Sequence, residues 1–116
     1  VLNLDKSTYK NSNDEPTPIG CVEEMLGKIP ESAWKEGVKI LDPCCGNGNF
    51  HLYAWNKLRQ QGISNEQIIT NNLFFNDVNS KRLENVREIY GDSANITSVD
   101  FLNYPEEQLY DIIYYS

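Results

Sequence analysis

The stretch best equipped for chemistry is Leu41-Asp42-Pro43-Cys44-Cys45-Gly46-Asn47-Gly48-Asn49-Phe50. Gly46 and Gly48, one residue apart, let a backbone turn tightly and approach a bound molecule with no Cβ in the way. The helical pattern that follows offers free amide donors at its start. By themselves the glycines serve an ordinary strand-to-helix turn equally well. Asp42 and Pro43 tip the reading, because a carboxylate at a strand end repels a pyrophosphate but suits an ammonium group or ribose hydroxyls. The expected ligand is nucleotide-like and carries a cation, and a β-branched side chain at Gly48 should block it.

Two further carboxylates fall on the same side. Asp77 follows the apolar run Leu73-Phe74-Phe75-Asn76, and Asp100 follows the weaker run from Ile96 to Val99. Asp77 suits ribose hydroxyls, with a plainer role as a charge at the N-terminus of the helix starting near Ser80. It lies farther beyond Gly48 than the roughly 20 residues typical of dinucleotide folds, which argues against NAD. For Asp100 and Phe101 the plainer roles are a solvated turn residue and a core ring. His51, the single histidine, has no Ser or Cys nucleophile at a useful spacing. Cys44 and Cys45 are adjacent and cannot supply spaced ligand pairs, so no metal is expected.

These residues need elements to hold them. Residues 1–16 are rich in Asn, Asp, Lys and Ser without apolar period and read as a flexible arm. Thr17 can cap a helix with Pro18 in its first turn, and Val22, Met25, Leu26 and Ile29 form one apolar face. Val38 to Leu41 reads as a strand, Phe50 to Gln61 as a helix, Ser64 with Gln67 as the cap of a short helix, and Leu73 to Asn76 as a second strand. Asn79 or Ser80 caps the next helix, whose stripe is Leu83, Val86 and Tyr90 and whose end is Gly91. Ile96 to Val99 and Asp111 to Tyr115 complete four strands. Strands alternating with helices imply a parallel α/β sheet with its ligand site outside the carboxyl ends of the strands.

Composition limits the rest. Ten basic and seventeen acidic residues give a net charge of −7, the wrong sign for a surface that tracks phosphates by itself. The longest apolar run is far shorter than the roughly 20 residues that span a bilayer. The first residues lack the apolar core of a secretory signal, and three cysteines fit a reducing compartment. A cytoplasmic, intracellular setting is expected, with no membrane contact.

The ten-residue segment closely resembles motif I of class I S-adenosylmethionine-dependent methyltransferases, in the Asp-Pro-x-Cys-Gly-x-Gly-x-Phe form found in DNA amino-methyltransferases acting on adenine. The likeness extends over nearly all of 17–116. Thr17-Pro18 resembles motif X, which lies against the methionine part of the cofactor. Phe75-Asn76-Asp77-Val78-Asn79 is similar to motif II, which implies Asp77 on the ribose hydroxyls and Val78 on adenine. Asp100-Phe101 resembles motif III, with the carboxylate on the adenine amino group and the ring beside the base. The resemblance implies a Rossmann-like three-layer methyltransferase fold whose cofactor-binding residues are Thr17, Asp42, Pro43, Cys44, Gly46, Gly48, Phe50, Asp77, Val78, Asp100 and Phe101.

In that family the catalytic motif, Asn-Pro-Pro-aromatic or Asp-Pro-Pro-aromatic, follows the fourth strand, and here it would begin at or after Ser116. The chain is accordingly expected to be the S-adenosylmethionine-binding part of a DNA (adenine) methyltransferase of restriction-modification type, inactive alone. DNA would be held by regions outside it, and the edge of the last strand would stay open to self-association. Alternatives carried forward are an RNA, protein-glutamine or cytosine-amino methyltransferase, and a non-catalytic module that binds cofactor or a partner protein.

Overall fold

A computed structural model describes residues 1–5 and 19–115 of the chain. Thr17, Pro18 and Ser116 lie outside the described residues, as does most of the arm expected over 1–16. Among the described residues, five strands form one sheet: β1 (Leu2–Asp5), β2 (Ile40–Asp42), β3 (Leu73–Asn76), β4 (Asn95–Thr97) and β5 (Ile112–Tyr115). Every neighbouring pair is parallel, and the order is β1-β5-β2-β3-β4. The helices are α1 (Ile19–Leu26), α2 (Asn49–Gln60), the short α3 (Asn65–Gln67) and α4 (Ser80–Tyr90). None of them is long and apolar enough to cross a membrane.

Alternation along the strands sorts side chains between two layers. Ile40, Leu73, Phe75, Ile112 and Tyr114 join Val22, Met25 and Leu26 of α1, Phe50, Ala54 and Leu58 of α2, and Leu83 and Val86 of α4 in the main core. Ala54, Leu58, Ile40 and Leu73 are fully buried, and each such aliphatic side chain larger than Ala contributes about 1.5–3 kcal/mol of apolar burial. Leu41 and Ile113 point the other way, into a smaller core with Phe101, against which Phe74, Tyr110 and Tyr115 pack. Among the described residues, Phe101 and Tyr110 of the segment that leads into β5 pack on this second face.

The ends of the elements follow local chemistry. Ser64 Oγ accepts from the Gln67 amide at 3.2 Å and Asn79 Oδ1 from the Lys81 amide at 3.0 Å. Each side chain satisfies one orphan donor of its helix. Gly91, at φ +94°, takes α4 out of its last turn, with its amide on Arg87 O. Between α3 and β3 the chain makes a π-helical turn, Ile68–Asn72, where Asn95 Nδ2 donates to Thr70 O at 3.0 Å and Leu73 O at 3.1 Å.

One expectation is corrected here. Leu2–Asp5 is a strand of the sheet, not the start of an arm, and it pairs with β5 in the register Leu2↔Ile112 and Leu4↔Tyr114. Its apolar content is two leucines separated by an asparagine, too little to stand out, and only the apolar outer side of β5 gives it value. With β2 on one side and β1 on the other, β5 does not present the open apolar edge expected for self-association.

Candidate functional site

The order of the strands sets the place. From β2 the chain winds outward through β3 to β4, then returns to lay β5 on the other side of β2. The strand order reverses between β2 and β5, and in parallel sheets the ligand crevice lies outside the carboxyl ends of the strands at such a switch point. The loop from Asp42 to Gly48 leaves β2 at that crevice.

Within the loop, Asp42 is fully buried and its Oδ1 accepts from the Cys44 amide at 3.2 Å. The Cys45 amide donates to Asn76 O at 2.9 Å and the Gly46 amide to Asp77 Oδ2 at 2.9 Å. Gly46 (φ +57°) and Gly48 (φ +81°) both hold left-handed backbone, which L-residues with a Cβ adopt at a cost. Their surroundings differ. A Cβ on Gly46 would meet nothing within 4 Å, whereas one on Gly48 would lie 2.9 Å from Tyr90 Cε2 and 3.3 Å from Phe75 Cε1. The missing side chain of Gly48 makes room for the interior, and Gly46 is the glycine with open space beside it. Sequence reasoning had assigned clearance for a ligand to Gly48.

Asp77 is joined to the loop as the sequence suggests, and its carboxylate already has work there. Oδ2 holds the Gly46 amide, Oδ1 accepts from the Asn79 amide at 2.8 Å, and the Arg82 guanidinium stands 3.7 Å from Oδ2. Asp77 is 4% exposed, while the Arg82 side chain is half exposed. A carboxylate oxygen has two lone pairs, so hydroxyls of a ligand can share it once Arg82 turns toward solvent. Val78, next in sequence, is 70% exposed.

Sequence reasoning passed over Asn76, which ties the strand ends together. Its Nδ2 donates to Pro43 O at 2.9 Å and Val99 O at 3.0 Å; its Oδ1 accepts from Thr97 Oγ1 at 2.7 Å and the Val99 amide at 3.1 Å. With the side chain almost fully buried, these four bonds satisfy its donors and acceptors. The available signal was an Asn ending an otherwise apolar strand.

The remaining assigned residues divide between crevice and core. Pro43 is buried and Cys44 half-buried in the loop. Phe50 is buried in the first turn of α2, its ring 4.5 Å from that of Tyr114. Asp100 is exposed and accepts from the Asn103 amide at 3.2 Å and from its side-chain amide, closing its own turn. Phe101 is 6% exposed in the smaller core, its ring 6.4 Å from Tyr110 and 6.3 Å from Tyr115. The structure thus joins Asp42, Pro43, Cys44, Gly46, Gly48, Asp77 and Val78 around one loop, and draws Phe50 and Phe101 into the two cores.

Beneath the loop lies a buried polar layer. His51 is fully buried; its Nε2 donates to Phe74 O at 2.8 Å and its ring meets Phe75 edge-on at 4.8 Å. Tyr114 is fully buried too, and burial, followed by the nearby Asp42 carboxylate, pushes its phenol well above the ordinary tyrosine range. Tyr90 is raised as well, first by burial, then by Cys45 and Asp42. Both hydroxyls therefore stay protonated at neutral pH.

No protein-family model matches the chain, and no curated protein matches it. Among solved structures it is similar to a chain from Vibrio vulnificus YJ016 described as a modification subunit of a type I restriction enzyme. The TM-score is 0.56 at 23% identity, over 84% of the present chain and 21% of the other. The similarity establishes a shared α/β fold, and the present chain spans about a fifth of that subunit.

Proposed function

We propose that the crevice beside Gly46 binds S-adenosylmethionine and that the chain is the cofactor-binding part of a DNA methyltransferase acting on the adenine amino group. The observation that carries this reading is the meeting of the Asp-Pro-Cys-Cys-Gly-Asn-Gly loop and Asp77 at the switch point of a parallel sheet, the 2.9 Å bond from Gly46 to Asp77 joining them. The donor set suits the cofactor: carboxylates for an ammonium group and ribose hydroxyls, exposed apolar Val78 for a flat base, and open space at Gly46 for close approach. The fold shared with a restriction-modification subunit supports the same reading.

In this arrangement Asp77 takes the ribose hydroxyls and Val78 covers one face of adenine. Asp42 faces the ammonium end from beneath the loop, and Asp100 stands toward the adenine amino group. Bound there, the cofactor supplies a methyl group on a sulfonium, activated for direct attack by an amino nitrogen. Phe50 and Phe101 hold the loop and the turn at Asp100 from the core side. Residues expected from the family's motif X, Thr17 among them, belong to the same proposal. With a net charge of −7, the phosphate-binding surface is assigned to regions outside residues 1–116, and an intracellular setting accords with a DNA substrate.

Calorimetric titration of the chain with S-adenosylmethionine tests the assignment, alongside Val78→Glu, a surface substitution that leaves the core alone. The wild type should bind and Val78→Glu should bind about tenfold or more weakly, since the charge would sit against the base. Equal affinity for both would remove Val78 from the site, and no binding by a folded wild type would overturn the reading.

A further inference from the structure

Successive residues of the loop are held by α4 and by the turn that leads into it. Gly46 is held by Asp77, which Arg82 flanks at 3.7 Å. Asn47 Oδ1 accepts from Asn85 Nδ2 at 3.0 Å. Gly48 O accepts from Tyr90 Oη at 2.7 Å, and a Cβ on Gly48 would meet the Tyr90 and Phe75 rings and Val86 Cγ2. Positions 82, 85, 86 and 90 recur at three- and four-residue steps, so they share one face of α4. Leu83 of the same helix is buried in the main core, and its aliphatic side chain makes no hydrogen bond to the loop.

We infer that α4 is a clamp that fixes the Gly46–Gly48 loop in its ligand-binding shape, with Tyr90 as the principal positioning residue and Asn85 as the second. Tyr90 touches no ligand in this scheme and acts through Gly48, the N-cap of α2. Drawing the Gly48 carbonyl inward fixes the left-handed turn there and leaves the open side of Gly46 and exposed Asn47 and Asn49 toward the crevice. The Tyr90 ring, 4.5 Å from that of Phe75, is locked in place by packing, so its hydroxyl is a fixed donor. Burial, Cys45 and Asp42 all keep that hydroxyl protonated. The inference rests on the S-adenosylmethionine reading for its ligand but not for its geometry.

The test uses the full chain with Tyr90→Phe, which keeps the ring and removes the donor, Asn85→Ala at the surface, and Leu83→Val as a buried control on the same helix. Titration with S-adenosylmethionine is read beside residue-resolved amide hydrogen exchange. Tyr90→Phe should weaken binding about fivefold to tenfold, as expected for one lost hydrogen bond. It should also speed exchange at the Gly46 and Gly48 amides while Phe75 is unaffected. Asn85→Ala should do the same to a smaller degree, and it carries the test if Tyr90→Phe does not fold. Leu83→Val, despite its lower stability, should keep wild-type affinity and loop exchange. Unchanged affinity in both loop variants, or an equal loss in Leu83→Val, overturns the inference. If the folded wild type takes up no S-adenosylmethionine, the ligand reading alone fails. Faster exchange confined to the loop then still supports the clamp, and unchanged exchange overturns it.

Discussion

Replacing Gly48 by Ala should destabilise the fold far more than the same change at Gly46, although both glycines sit in one turn with positive φ. The backbone penalty is common to both. Left-handed conformation costs a residue with a Cβ about 1–2 kcal/mol, and φ is +57° at Gly46 and +81° at Gly48. Only Gly48 adds a steric term, because its new Cβ would stand 2.9 Å from Tyr90 Cε2 and 3.3 Å from Phe75 Cε1. The Tyr90 ring has little freedom to retreat, being bonded to Gly48 O at 2.7 Å and packed on Phe75. Overpacking of this kind costs about 1–3 kcal/mol, which brings Gly48→Ala to about 2–5 kcal/mol against about 1–2 for Gly46→Ala. In urea unfolding, with a slope of about 2 kcal/mol/M for a domain of this size, the Gly48→Ala midpoint should fall by about 1–2.5 M. Tyr90→Leu clears the ring from the clash, so adding Gly48→Ala to that variant should cost about as little as Gly46→Ala does in the wild type. Equal losses at the two glycines, or no relief in the double variant, would refute the inward packing of Gly48.

Asn76→Ala removes two donors and two acceptors that tie Pro43, Thr97 and Val99 together, and it should lower unfolding free energy by about 2–4 kcal/mol in chemical denaturation; a loss under about 0.5 kcal/mol would mean that the strand ends hold without it. Tyr115 is pushed up to about 12 by burial, by the hydrogen bond its hydroxyl donates to Glu107 and by that carboxylate's charge. A folded pKa above the unfolded value of about 10 gives stability that is whole below pH 10 and is lost as pH rises toward 12. Absorbance titration of tyrosinate should find Tyr115, with the raised Tyr90, Tyr110 and Tyr114, ionising only above pH 10 or as the chain unfolds, and normal titration of all seven tyrosines in the folded state would contradict this packing.

What the sequence made legible was local. The alternation of strands and helices, the Ser64 and Asn79 caps and the Gly91 exit depend on neighbours within a few residues, and the structure has all of them. The loop and Asp77 could be brought together on paper because parallel crossovers deliver successive strand ends to one side. Roles that depend on distant contacts were harder to read. Gly48 faces Tyr90 from across the fold, Phe101 belongs to a core made with Leu41 and Ile113, and Asn76 gathers carbonyls from two other strand ends. β1 was missed for the same reason: two leucines have no pattern until β5 is beside them.

The pairing of β1 with β5 has a kinetic meaning. Leu2 and Ile112 are partners, so nearly the whole chain must be closed as a loop before this ladder forms, whereas β2, β3 and β4 can assemble through single crossovers. During synthesis Leu2 and Leu4 emerge well before their partners Ile112 and Tyr114, their apolar faces uncovered in the interval. Docking of β1 is then a late step among the described strands, and the population in which it has not docked is open to proteases and to unwanted strand pairing.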